Sequence, residues 1–325
     1  MKAVMCVRHA PPEALEIHDL PEPAPGPGQV VVEIAAVGLN FSDTLIIRDL
    51  YQVKPPLPFS PGAEFSGHVA ALGAGVEGFA VGERVCGYVT SGAARQRVAV
   101  AAEFLARVPD DLDLVKAAGL IVTYGTALYA LRERGELKPG ESLAVLGAAG
   151  GVGLAAVELG RIMGARILAC ASSPEKVAFA MAHGADAGFD YAQGDLKGAL
   201  KAFGGQAGLD VVYDPVGGEM AEQALRALGN LGRFLVVGFA AGEIPKIPLN
   251  LLLLKNCDAR GIAFGAQARS NPAWLRDAIG ELMGHARDGR ISAHVDATFP
   301  LERCAEALGE IAGRRVKGKV VLTTG

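Results

Sequence analysis

One stretch constrains this chain more than any other: Leu146-Gly147-Ala148-Ala149-Gly150-Gly151-Val152-Gly153. It follows Ser142-Leu143-Ala144-Val145-Leu146, a short apolar run of the kind buried in a parallel sheet. It leads into a helix-spaced segment expected over residues 151–163. A glycine loop in that setting has a physical use. Glycines let backbone N–H groups approach a pyrophosphate without a Cβ clash, and the helix N-terminus adds partial positive charge. Ala148 stands at the first position of the G-x-G-x-x-G pattern, while Gly150 and Gly153 keep the others. Alone, the loop is a glycine-rich turn; between a strand and a helix it reads as a dinucleotide cradle, with Ala149, Gly150, Gly151, Val152 and Gly153 as its contacts.

The units after the loop repeat its logic. Strand Arg166–Cys170, a helix over 174–183, and strands at Asp210–Tyr213 and Arg233–Val237 alternate as βαβ units, which predicts a Rossmann doubly wound parallel sheet in an α/β protein. Ahead of it, residues 30–37, 67–73 and 83–89 are strand-like and separated by Gly/Pro turns, so the first third is β-rich. Residues 114–134 carry helix-spaced apolar positions. Helices near 273–287 and 302–312 and a closing strand at 318–322 suggest that the chain returns to its first domain. The expected division is 1–118 with 258–325 around 119–257, two domains being usual for 325 residues at ~100–200 per domain.

Composition removes several classes. The net charge is −4 with no long basic stripe, so no nucleic-acid partner is expected. No run of about 18 apolar residues occurs and the N-terminus lacks a signal-peptide pattern, so no membrane association is expected and the default location is cytoplasmic. The five cysteines are scattered without a C-x-x-C pair, which argues against a structural zinc site and for reduced, buried thiols.

The cofactor is read at the end of the second strand of the nucleotide domain. An NAD site places Asp or Glu there to hold the ribose hydroxyls. This chain has Ser172-Ser173-Pro174-Glu175-Lys176, with no acid at the strand end. Loss of the carboxylate removes repulsion of a 2′-phosphate, Ser172 and Ser173 can donate hydrogen bonds, and Lys176 supplies a point charge. Tyr191 is placed to join them. The reading is NADPH; otherwise Lys176 is a solvated charge and Ser172 a helix cap.

In order along the chain, Gly38-Leu39-Asn40-Phe41-Ser42-Asp43, Pro58-Phe59-Ser60-Pro61-Gly62-Ala63-Glu64-Phe65-Ser66-Gly67, Thr123-Tyr124-Gly125-Thr126-Ala127, the loop 148–153, Ser172-Ser173 with Lys176, Val237-Gly238-Phe239 and Gly318-Lys319-Val320-Val321-Leu322 resemble the motifs of the zinc-independent quinone oxidoreductase (zeta-crystallin-like) branch of the medium-chain dehydrogenase/reductase superfamily. The resemblance covers essentially the whole chain. It implies a β-rich GroES-like catalytic domain beside the Rossmann domain, and contacts from Gly238 and Phe239 to the nicotinamide. Zinc enzymes of the superfamily carry a Cys after the Gly38 motif and a His in Gly-His-Glu. Here the first position falls among Leu39-Asn40-Phe41 and the second is Ala63, so no metal is expected.

Without a Lewis acid, direct hydride transfer from NADPH to a quinone or conjugated carbonyl is the implied reaction. Asn40 is the first candidate donor to the acceptor carbonyl, Tyr51 the second, and Thr126 is expected to position the nicotinamide. Asp43 is read as tying its local turn. Two other readings stand beside this one: reduction of enoyl-thioesters or other activated alkenes, with Arg48, Arg260 and Arg269 as a sparse basic rim, and a non-enzymatic, crystallin-like or RNA-binding role that keeps NADPH affinity. The aliphatic run 251–254 is read as an edge strand through which two copies pair as a homodimer.

Overall fold

The apolar runs in the middle of the chain form a six-stranded parallel sheet. Its order is Ala187–Asp190, Arg166–Ala171, Ser142–Leu146, Leu209–Asp214, Leu228–Val236 and Asp258–Gly261. The chain starts at Ser142–Leu146, moves outward on one side, then crosses back to Leu209–Asp214 on the other. The strand order therefore reverses between these two strands, and in open α/β sheets ligands bind outside the carboxyl ends of the strands at that point. All five residues of Ser142–Leu146 are buried, as a central parallel strand requires. One face packs Ala144, Leu146, Leu168, Cys170, Val212 and Phe234 into a shared core with Leu196, Leu200 and Leu225.

The computed structural model describes residues 1–325 and separates into two compact units. One comprises Met1–Gly125, Gly265–Gly289 and Ala293–Gly325; the other comprises Thr126–Phe264 and Arg290–Ser292. The first boundary between the units falls inside the helix Ile121–Leu128.

The first unit is built on a seven-stranded, mostly antiparallel sheet. Val295–Pro300, Lys319–Thr323, Gln29–Leu39, Glu64–Leu72, Arg84–Tyr88 and Leu105–Arg107 follow one another, and Arg97–Ala101 also pairs with Gln29–Leu39. Register matters here: Gly38 lies opposite both Glu64 and Val321, and Leu39 opposite Val320. That register gathers Asn40, Glu64 and Lys319 at one end of the sheet.

The helix-spaced stretch 114–134 is helical in three pieces, Leu114–Ala118, Ile121–Leu128 and a wider turn over Tyr129–Arg134. Gly119 closes the first piece by donating its N–H to Lys116 O at 3.0 Å. The aliphatic run is not a strand but the helix Asn250–Lys255, stopped by Asn256 at φ 49°. A leucine run without β-branched residues favours helix over strand. The sheet edge is instead Asp258–Gly261. The helices Leu196–Gly204 and Glu219–Leu225 also exceed what the sequence reading placed. All five cysteines are buried and unpaired, and no helix is long and apolar enough to cross a membrane.

Candidate active site

In the second unit, the glycine loop sits at the carboxyl end of Ser142–Leu146, beside the strand-order reversal. Gly147 turns the chain with φ 63°, and Ala148 donates its N–H to Cys170 O at 3.0 Å, pinning the loop to the neighbouring strand. Gly150 caps the helix Gly151–Ile162. The first-turn amides of Gly151, Val152 and Gly153 have no carbonyl four residues back within the helix, so they are donors for an anion. The two retained glycines do different work. A Cβ at Gly153 would lie 2.2 Å from Gly147 O, whereas one at Gly150 would meet nothing closer than Gly147 O at 3.5 Å. Gly153 lets helix and loop touch; Gly150 leaves open space above the loop.

The neighbouring strand Arg166–Ala171 ends at an exposed Ser172. Ser173 is the cap of helix Pro174–Ala182: its Oγ accepts the Lys176 N–H at 3.3 Å and its hydroxyl proton remains available. Tyr191 N–H donates to Ala171 O at 3.0 Å, which sets Tyr191 next to Ser172. The structure thus brings Ser172, Ser173, Lys176 and Tyr191 to one corner of the sheet, with no acid at the end of Arg166–Ala171; Asp190 ends the adjacent strand, opposite Ala171.

Gly238 and Phe239 are held by a turn that the sequence reading missed. The buried Asp214 carboxylate accepts the N–H groups of Val216 at 2.8 Å and Gly217 at 2.9 Å. Burial pushes this carboxyl above its ordinary range, and the two N–H bonds work against that. The segment from Val237 to Ala241 is laid along it: Val237 N–H donates to Asp214 O at 2.9 Å and Ala240 N–H to Pro215 O at 3.0 Å. The signal in the sequence was Asp214-Pro215-Val216-Gly217-Gly218, a cluster of turn residues straight after a strand. Thr126 is buried and belongs to this unit.

In the first unit, Asn40 caps the short helix Phe41–Ile46 and is buried. Its side chain is held on both ends. Asn40 Oδ1 accepts from Lys319 Nζ at 2.8 Å, and Asn40 Nδ2 donates to Glu64 Oε1 at 2.8 Å. Lys319 Nζ also donates to Leu39 O and Glu64 Oε1, both at 2.7 Å. Glu64 Oε2 accepts the Val122 N–H at 2.8 Å. Asp43 ties the turn, accepting Asn40 N–H at 2.8 Å and Gly62 N–H at 3.1 Å. Burial pushes its carboxyl up to about 6, against the pull of those N–H groups and of Lys319. Tyr51 is half-buried in the same neighbourhood; burial and then the Asp43 carboxylate raise its phenol, while Arg269 works the other way. Tyr88 is raised by burial, which is opposed first by the Arg269 guanidinium. Lys319, Glu64 and Tyr88 were absent from the sequence-based site, and Arg269 entered it only as a rim charge.

Two stretches of the chain match known families. Residues 26–110 match the alcohol dehydrogenase GroES-like domain, and residues 151–278 match the zinc-binding dehydrogenase family. Quinone oxidoreductase-like protein 2 of Rattus norvegicus is 38% identical over 323 residues, spanning 99% of this chain and 92% of that protein. The chain belongs to the medium-chain dehydrogenase/reductase superfamily, in its quinone oxidoreductase-like branch. A second member of that branch, the quinone oxidoreductase of Pseudomonas aeruginosa, is 34% identical over 324 residues, 99% of each chain. The crystal structure of Escherichia coli quinone oxidoreductase complexed with NADPH superposes with a TM-score of 0.94 at 28% identity, covering 100% of both chains.

The zinc in one family's name finds no donor set here. No group of three His, Cys, Asp or Glu side chains is placed to hold a metal ion. The Glu64 carboxylate is already shared by an ammonium, a side-chain amide and a backbone N–H. Thiolate and imidazole ligands are missing where a tetrahedral site would need them.

Proposed function

We propose that this oxidoreductase transfers a hydride from NADPH to a quinone or conjugated carbonyl acceptor without a metal. The observation that carries the cofactor reading is Ser172, not an acid, at the end of strand Arg166–Ala171, with Ser173, Lys176 and Tyr191 close by in the chain fold, set beside a glycine loop whose first-turn amides can donate to an anion. When bound, NADPH supplies the hydride from its nicotinamide. The amides of Ala149 to Gly153 hold the pyrophosphate. Ser172 and Ser173 donate to the 2′-phosphate, joined by Tyr191, and Lys176 balances its charge. Gly238 and Phe239 border the nicotinamide, and Thr126 orients its carboxamide. Asn40 donates a side-chain N–H to the acceptor carbonyl as negative charge develops there, and Tyr51 donates its phenolic hydrogen to the same group. Burial favours the neutral, proton-bearing phenol of Tyr51, the form that can donate.

The test is oxidation of NADPH and of NADH by the purified protein with an ortho-quinone and with an enoyl-CoA. NADPH turnover on the quinone is expected, with Asn40→Ala lowering kcat by about 10²-fold, the usual effect of removing an oxyanion donor. Turnover on the enoyl-CoA instead would move the enzyme to alkene reduction. Tight NADPH binding with no turnover on either acceptor would leave only the non-enzymatic role.

We also propose a homodimer, now through a different edge from the aliphatic run. Asp258–Gly261 is an edge strand with one side unpaired. Leu249, Leu253 and Leu254, in the segment just before it, are 75%, 81% and 75% exposed. Such a row favours cover by a second copy. Sedimentation should show a dimer at micromolar protein that Leu253→Glu/Leu254→Glu converts to monomer; a monomeric parent protein would refute it.

A further inference from the structure

The network around Asn40 contains a buried ion pair that cofactor binding does not explain. Lys319 and Glu64 are 4% and 0% exposed and 2.7 Å apart. Buried pairs are poor stabilisers, since desolvation offsets the attraction and apolar replacements are often as stable. Its partners suggest another use. Lys319 has only donors and spends them on Leu39 O, Asn40 Oδ1 and Glu64 Oε1. Glu64, when ionised, has only acceptors and spends them on Lys319 Nζ, Asn40 Nδ2 and Val122 N–H. The amide of Asn40 lies between a pure donor and a pure acceptor. Turning it over would set N–H against ammonium and C=O against carboxylate. One orientation is therefore enforced.

That orientation leaves something unspent. Of the two Nδ2 protons, one goes to Glu64 Oε1; the other has Gly38 O at 3.4 Å, a long contact that a better oxygen can displace. The backbone makes room for this arrangement. A Cβ at Gly38 would lie 2.7 Å from Glu64 Oε1 and 2.3 Å from Ala118 O, so only glycine lets the carboxylate sit there.

We propose that Lys319 and Glu64 are positioning residues, which lock the Asn40 amide so that its second Nδ2 proton stays directed at the acceptor's carbonyl oxygen. The inference rests on the assignment of Asn40 to the acceptor. Neither residue touches substrate; both act through Asn40.

The test is a mutant cycle on kcat with the quinone acceptor, using Asn40→Ala, Lys319→Met and the combined variant. Lys319→Met should lower kcat by tenfold or more with KM for NADPH unchanged. In the Asn40→Ala background it should add nothing, because the group it positions is gone. Since one unpaired buried carboxylate can unfold the protein, the charge-neutral pair Lys319→Met/Glu64→Gln is made alongside and should be folded and equally slow. Selective ¹⁵N-asparagine labelling gives a readout independent of turnover: the Asn40 side-chain protons should exchange slowly in the parent and fast in the neutral pair. A folded neutral pair with parental kcat and protected amide protons would overturn the positioning role while leaving Asn40 in place. So would a Lys319→Met effect that adds in full to Asn40→Ala. A parental rate for Asn40→Ala would instead remove the Asn40 assignment, and this inference with it.

Discussion

Gly153→Ala should lose both stability and nucleotide binding, whereas Gly150→Ala should keep the fold and lose binding alone. The new methyl at 153 would meet Gly147 O at 2.2 Å, Gly147 C at 2.8 Å and Ala148 Cα at 2.9 Å. These are backbone atoms of the loop that the helix must touch, so no rotamer change relieves them. Forcing extra volume into a packed site costs about 1–3 kcal/mol, and the shift it requires carries the loop away from its bond to Cys170 O. At 150 the methyl meets only Gly147 O at 3.5 Å, an ordinary contact, and the backbone at φ −79° accepts any residue. The loss of a favoured cap residue there costs under about 1 kcal/mol. The methyl would then occupy the space a pyrophosphate needs. Thermal melts with and without NADPH separate the two effects. Gly150→Ala should match the parent without cofactor and fail to shift with it, and Gly153→Ala should melt lower in both. Equal melting of Gly153→Ala and the parent would mean that helix and loop are not in contact as described.

Local pattern accounts for how far the sequence could be read. The nucleotide unit was legible because each of its signals is local: a buried run, a glycine loop and a helix period lie within a few residues of one another. The same locality misled at residues 251–254, where the apolar run by itself reads as strand or short helix, and the absence of β-branched residues was the cue for the helix that forms. Asp214 was as legible as the glycine loop, since its carboxylate's two N–H partners lie two and three residues on, in the turn cluster that follows its strand. The partners of Asn40 were beyond reach. Lys319 and Glu64 are 255 residues apart, and their meeting follows from the register of three strands, with Gly38 opposite both Glu64 and Val321. Asn40 was singled out by motif, but nothing in the sequence showed that both ends of its amide are held. Tyr51 and Asp43 were placed near it by sequence proximity; Tyr88 and Arg269 come from distant strand and helix ends.

Ser172→Asp should turn a preference for NADPH into one for NADH. Ser172 is exposed at the end of its strand, so the substitution disturbs no packing and its effect is electrostatic. A carboxylate there accepts hydrogen bonds from ribose hydroxyls and repels a 2′-phosphate. Two unit charges about 4 Å apart interact by about 4 kcal/mol at the effective dielectric typical near a protein surface. Even half of that changes kcat/KM for NADPH by more than tenfold, and about 10²-fold is expected. Adding Lys176→Ala should deepen the loss for NADPH and leave NADH nearly unaffected, because only the phosphate carries the charge that Lys176 meets. The measurement is the ratio of kcat/KM for the two cofactors at low and moderate salt. The discrimination should shrink as salt is raised, since an exposed corner is screened within a Debye length of about 8 Å at physiological ionic strength. If Ser172→Asp leaves the ratio unchanged at every salt concentration, the 2′-phosphate does not lie at this corner, and the choice between the two cofactors must be made elsewhere on the chain.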